Sequence, residues 1–182
     1  MKGGPVLDYP RLIKIILESY RLPLDGVHGT AHWARVFENG ERLAEETGAR
    51  LTVVQLFAVF HDSRRRNEAY DPGHGRRAAD FARSLLGEVF ELGAEEFDLL
   101  YRACVGHTNG RTKEDITVQT CWDSDRLDLG RVGIKPVPGR LCTAAARKPE
   151  VIRWAFERSI AGYVSERVLL AWDLAGMDSS NC

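Results

Sequence analysis

A chain of 182 residues, 44% apolar and 28% charged, is long enough to bury a core without disulfides or a structural metal, and one domain over residues 1–182 is the expectation. A formal net charge of -1 gives no general positive field for a nucleic-acid partner, so any phosphate site has to be local. Cys104, Cys121, Cys142 and Cys182 form no CxxC pair, which argues against a zinc finger or a thioredoxin-like motif and leaves reduced thiols as the simpler reading.

In chain order, residues 9–21 carry amphipathic spacing, and their apolar patch Leu12–Leu17 is too short and charge-interrupted for a signal peptide or a membrane span. A cytoplasmic protein without a membrane partner is therefore expected. PLDGVHG at 23–29 reads as a turn, and a long helix is predicted from about His28 to Thr47, with Gly48 in the position a C-cap glycine prefers. A further helix covers Leu51 to His61. RRRNEAYDPGHG then reads as a loop, because Asp71-Pro72-Gly73 is strong turn chemistry, and another helix continues to about Gly87. Residues 94–107 and 115–129 show helical apolar spacing on either side of the polar turn TNGRTKED. From Gly130 the segment GRVGIKPVPGR forbids a regular helix and predicts an ordered arm lying on the helical body, with VGIKPV as a short edge strand at most. Glu150 to Met177 is predicted helical with a break near Gly162. The fold class is all-α.

The five histidines are placed in a telling way. Residues three, four and seven apart share a helix face. On that basis His61 joins Val54, Phe57 and Ala58; His74 joins Ala78, Phe81 and Leu85; His107 joins Phe97, Leu100 and Cys104; His32 joins Val36 and Leu43. Each lies at or near a helix end, on the side facing the core. In CWDSDRLDLG the same test turns Asp125 inward with Val118, Cys121 and Trp122, while Asp123 falls on another stripe and is the fallback. A single inward histidine is more often a hydrogen-bonded core residue. Several on different helices, joined by carboxylates that need compensation on burial, suit a divalent ion such as Mn, Fe, Ni, Co, Zn or Mg.

HWARV at 32–36, HD at 61–62 and DSDRLD at 123–128 resemble the H…HD…D signature of the HD-domain superfamily of metal-dependent phosphohydrolases. The family's order covers about residues 25–130, leaving 131–182 as the arm and C-terminal helices. The resemblance implies an all-α HD-domain bundle in which His32, His61, Asp62 and Asp125 are metal ligands. It also implies hydrolysis of a phosphate mono- or diester, nucleotide-like in character. His74 and His107 stand where some members add ligands, which would give one or two ions with Asp62 as the bridge. Alternatively they bind the substrate phosphate or protonate the leaving group, so Asp62, His74 and His107 are the expected catalytic group.

For the phosphate, the candidates are Arg64, Arg65 and Arg66 in FAVFHDSRRR, then Arg126, Lys135 and His28. An arginine run at a helix end is also favourable simply as a solvated cap on the dipole, so at most one of the three is expected to serve. The chain departs from named activities. Arg65 and Arg66 replace the acids of the alarmone hydrolases' HDxxED, the glutamate of nucleotidase-type members is missing, and no GYP tripeptide follows HD. The expected partner is a small phosphorylated substrate, with self-association left open. The rival readings are a regulatory HD module that binds without turnover and an HD nuclease, the latter disfavoured by the charge balance.

Overall fold

The computed structural model describes residues 7–174. The elements are α1 (Tyr9–Glu18), α2 (Thr30–Thr47), α3 (Leu51–Phe60), α4 (His74–Leu85), α5 (Ala94–Gly106), α6 (Ile116–Arg126), two 3-10 turns (Leu129–Val132 and Pro138–Arg140), α7 (Pro149–Ile160) and α8 (Glu166–Ala171). Among the described residues there is no strand, only an isolated bridge between Leu86 and Phe90. The all-α expectation is met, and the short strand suggested for VGIKPV is not formed, since those residues lie in turn and coil. No described helix is long and apolar enough to cross a membrane.

α3 is the organising element. Val53, Val54, Leu56, Phe57, Ala58, Val59 and Phe60 are all buried, as befits a helix apolar on every side. α2, α5 and α6 pack around it, and its C-terminal end carries His61 and Asp62 into the interior. Two glycines allow the packing. A Cβ on Gly40 of α2 would stand 2.4 Å from Val54 Cγ1, and one on Gly75 of α4 would stand 2.1 Å from the Cys104 carbonyl oxygen of α5.

Several ends differ from the predicted ones for local reasons. α1 stops at Glu18 rather than near 21, where the Ser19 and Tyr20 amides turn back onto Ile16 and Leu17 carbonyls. His28 precedes α2, because extended Gly29 is its N-cap; the Tyr20 hydroxyl donates to the His28 carbonyl at 2.7 Å. α6 ends at Arg126 and tightens through Leu127 and Asp128 into the first 3-10 turn. Gly48 closes α2 with φ 70°, and Gly162 breaks the C-terminal helices with φ 61°, both as expected. α8 ends at Ala171, short of the predicted Met177, with Trp172 as its C-cap and Asp173 at φ 58°; residues 175–177 and the cysteine at 182 lie outside the described residues.

The arm's C-terminal end is fastened to the body. Asp123 accepts from the amides of Cys142 (2.7 Å) and Thr143 (2.8 Å) and from the Thr143 hydroxyl (2.9 Å). Beyond it a smaller core of Leu43, Leu127, Leu141, Val151 and Ile152 joins α7 to the body.

Candidate metal centre

Six side chains from five helices or their ends meet beside the end of α3. The centre is Asp62, only 2% exposed. Its Oδ2 faces His61 Nε2 at 3.5 Å and His32 Nε2 at 3.6 Å. Its Oδ1 faces His74 Nε2 at 3.1 Å and His107 Nε2 at 3.6 Å. Asp125 Oδ1 closes the first half, 3.5 Å from His32 Nε2 and 3.9 Å from His61 Nε2. Two groups, His32-His61-Asp62 and Asp62-His74-His107, thus have mutually close donor atoms and share one carboxylate.

The ring tautomers follow from the partners of Nδ1. A carbonyl oxygen only accepts, so an Nδ1 beside one carries the hydrogen. His61 Nδ1 donates toward the Ala58 and Phe57 carbonyls at 3.1 and 3.2 Å, His74 Nδ1 to the Asp71 carbonyl at 2.7 Å, and His107 Nδ1 to the Cys104 carbonyl at 2.7 Å. His32 Nδ1 donates to the Asp128 carboxylate at 2.7 Å. All four Nε2 atoms therefore present lone pairs inward. They meet in opposed pairs, His32 to His61 at 3.0 Å and His74 to His107 at 2.9 Å.

Lone pairs set against each other at that distance repel unless a proton or a cation lies among them. A shared proton is a poor answer for the first pair, because burial pushes the His61 pKa down to about 3 despite Asp62 and Asp125. The carboxylates are in the complementary state. Burial alone would raise the Asp62 pKa, but His61, His107, His32 and His74 outweigh it and hold it well below the usual range. For Asp125, Arg131 and then His61, His32 and His107 overcome burial and bring it down to about 2. Oδ1 of Asp62 and Oδ1 of Asp125 are buried without a hydrogen-bond donor. In the second pair burial is outweighed by Asp62, which raises the His107 pKa, so a proton can be shared there and the case for a cation is strongest at the first pair. Opposed Nε2 atoms, ionised carboxylates and orphaned acceptors together fit a divalent cation.

The positive rim is narrower than expected. Arg65 alone of the three arginines after HD turns to the centre, with Nη1 3.5 Å from Asp62 Oδ1 and 3.2 Å from His74 Nε2, held by bonds to the Asn67 and Ala69 carbonyls. Arg64 points away, its guanidinium 3.4 Å over the Phe81 ring and bonded to the Ser19 carbonyl. Arg66 is exposed and lines, with Arg21, Arg64, Arg65 and Arg77, a hollow of about 300 Å³. Arg126 spends its guanidinium on the Arg111 and Arg140 carbonyls and Cys142 Sγ. Lys135 is exposed and sits 5.7 Å from the Phe156 ring. His28 stands at the edge, its Nε2 4.0 Å from Asp62 Oδ2 and its Nδ1 paired with Glu68. Asp123 faces the arm, not the histidines.

Three residues without an expected role support the centre. Asp128 receives His32 on Oδ2 and Arg35 on Oδ1 (2.6 Å). Arg131 reaches Asp125 Oδ1 at 3.6 Å and bonds to the Val27 and Asp128 carbonyls. A signal for Asp128 lay in DSDRLD, three residues past Asp125 and seven past Cys121 on the inward stripe. Arg131 had none, because it follows the helix end.

No protein-family model matches the chain, and no curated protein matches it. Among solved structures it is similar to one described as a predicted HD superfamily hydrolase from an uncultured Thermotogales bacterium. The two share 25% sequence identity and a TM-score of 0.62, over 89% of this chain and 91% of that one.

Proposed function

We infer that this chain, an HD-superfamily protein with the fold of that predicted hydrolase, is a metal-dependent phosphohydrolase acting on a small phosphate mono- or diester. The observation that carries the reading is Asp62, whose two oxygens each face an opposed pair of imidazole lone pairs. In this reading His32, His61, Asp62 and Asp125 hold one divalent ion, and Asp62, His74 and His107 hold a second.

A bound divalent ion supplies a water of lowered pKa and neutralises charge on a phosphoryl group. The chain's residues do the rest. Asp128 fixes the His32 ring by accepting a hydrogen bond from its Nδ1, and the Ala58, Asp71 and Cys104 carbonyls do the same for His61, His74 and His107. Asp62, ionised and central, orients a water by accepting its hydrogen. Arg65 provides the fixed guanidinium for a phosphoryl oxygen, a role that fits its tethering by two carbonyls. Nucleotides belong in the substrate panel because the sequence resemblance points toward them.

The test is elemental analysis of the purified protein together with assay of the Mn-loaded form on nucleotides and generic phosphate esters. Bound divalent metal with phosphate release is expected, and His74→Ala and His107→Ala are expected to lower metal content per chain. Metal binding without turnover on any ester would instead make the chain a regulatory module.

A further inference from the structure

Beside the centre lies a cleft of about 290 Å³ that the hydrolytic residues do not fill. Its size is at the lower end of small-molecule sites, which run from about 300 to 1000 Å³. His107 lines it, and its Nε2 also stands 3.6 Å from Asp62 Oδ1, so cleft and centre share one side chain. The arm lines it too, through Ile134, Pro136 and Val137, together with Leu129 and Leu141.

Single exposed apolar side chains are ordinary. Here Ile134 and Val137, 54% and 52% exposed, stand together on the wall of one cleft. Their backbone is fixed. The Ile134 amide bonds to the Leu129 carbonyl at 3.1 Å, and the Arg140 amide to the Val137 carbonyl at 3.0 Å. The Arg140 carbonyl is in turn held by Arg126. A built wall of this kind presents its side chains in one place instead of burying them.

The lining also discriminates. Among the described residues no carboxylate borders the cleft, Arg126 has its guanidinium committed to carbonyls and sulfur, and the other polar side chains on the lining besides His107 are Thr108 and Arg140. A hydroxyl-rich group would lose its water partners against Leu129, Ile134, Pro136, Val137 and Leu141 and find only these few groups in return, whereas an apolar ring face loses nothing on that wall.

We propose that the cleft between His107 and the Ile134–Val137 arm is the subsite for the alcohol portion of the substrate, and that this portion carries an apolar ring. The proposal rests on the phosphohydrolase reading of the adjoining centre. It makes Ile134 and Val137 specificity determinants, and it favours aryl esters over polyol phosphates.

The experiment compares the Mn-loaded full chain with Ile134→Ser and Val137→Ser, both at exposed positions. Binding of 1-naphthylmethylphosphonate, whose P–C bond resists hydrolysis, and of methylphosphonate is measured by calorimetry, and hydrolysis of 1-naphthyl phosphate and glycerol 3-phosphate is assayed. Each variant is expected to weaken the naphthyl ligand about tenfold, as loss of an apolar contact in a pocket does, and to leave methylphosphonate binding unchanged. Equal weakening of both ligands, or of neither, overturns the subsite. If the wild type hydrolyses nothing but the variants still lose naphthyl binding selectively, the subsite stands and the phosphohydrolase reading falls.

Discussion

At the scale of single residues, the centre depends on side chains that never touch the proposed ions. Asp128 accepts from His32 Nδ1 and from Arg35 Nε at once. Asparagine has one carbonyl oxygen for two donors, and its amide hydrogens would push His32 toward the tautomer whose Nε2 carries hydrogen into the site. Asp128→Asn is therefore expected to lower metal affinity or activity about 10- to 100-fold, and metal titration giving wild-type affinity would sink this view of His32. Asp123 and Asp125, two residues apart, separate in the opposite way. Asp123→Ala strips the Cys142 and Thr143 donors of their acceptor, which should destabilise the fold by about 1–3 kcal/mol with metal content unchanged. Asp125→Ala should lose metal. Urea melts paired with elemental analysis check both, and the reverse pattern would exchange the two assignments.

Among the helices, the junction of α4 and α5 is the most constrained. His74 opens α4, His107 follows α5, and Gly75 touches the Cys104 carbonyl whose oxygen also receives His107 Nδ1. A methyl there cannot be absorbed, because its neighbour is backbone. Gly75→Ala should destabilise the protein by about 1–3 kcal/mol and remove metal from the His74-His107 half while the His32-His61 half keeps its own. Loss of half the bound metal is the readout; full retention would mean that α4 and α5 shift without consequence. Helix existence and facing were legible in the sequence, since Val54, Phe57, Ala58 and His61 repeat at helical spacing and are all buried. The ends were less so. Where α2 starts depends on Gly29 and on the Tyr20 hydroxyl reaching His28, contacts that local pattern does not encode. Arginine direction was hidden for a similar reason: Arg64 is drawn off by Phe81 and Ser19, partners on distant elements.

For the whole molecule, the inward histidines create a folding problem that pattern reading could sense but not measure. Spacing brought His32, His61, His74, His107 and Asp125 to inward faces; only the assembled helices set Nε2 atoms 3.0 and 2.9 Å apart in opposed pairs. The folded chain by itself holds the His32–His61 repulsion and two donorless carboxylate oxygens, one on Asp62 and one on Asp125, in its interior, whereas the unfolded chain does not. A divalent ion that binds only the assembled centre should consequently raise stability by RT ln(1 + [L]/Kd), about 2.7 kcal/mol at a hundredfold excess over Kd. For a chain of 182 residues, with about 2–4 °C per kcal/mol, the melting temperature should rise by about 5–11 °C. Calorimetry of chelator-treated protein across a Mn titration measures the shift. It should grow with the logarithm of free metal and shrink sharply in Asp62→Ala, which removes the carboxylate that both halves share. A melting temperature indifferent to metal would mean that the opposed imidazoles are reconciled within the protein itself, and the reading of Asp62 as a bridge would fail with it.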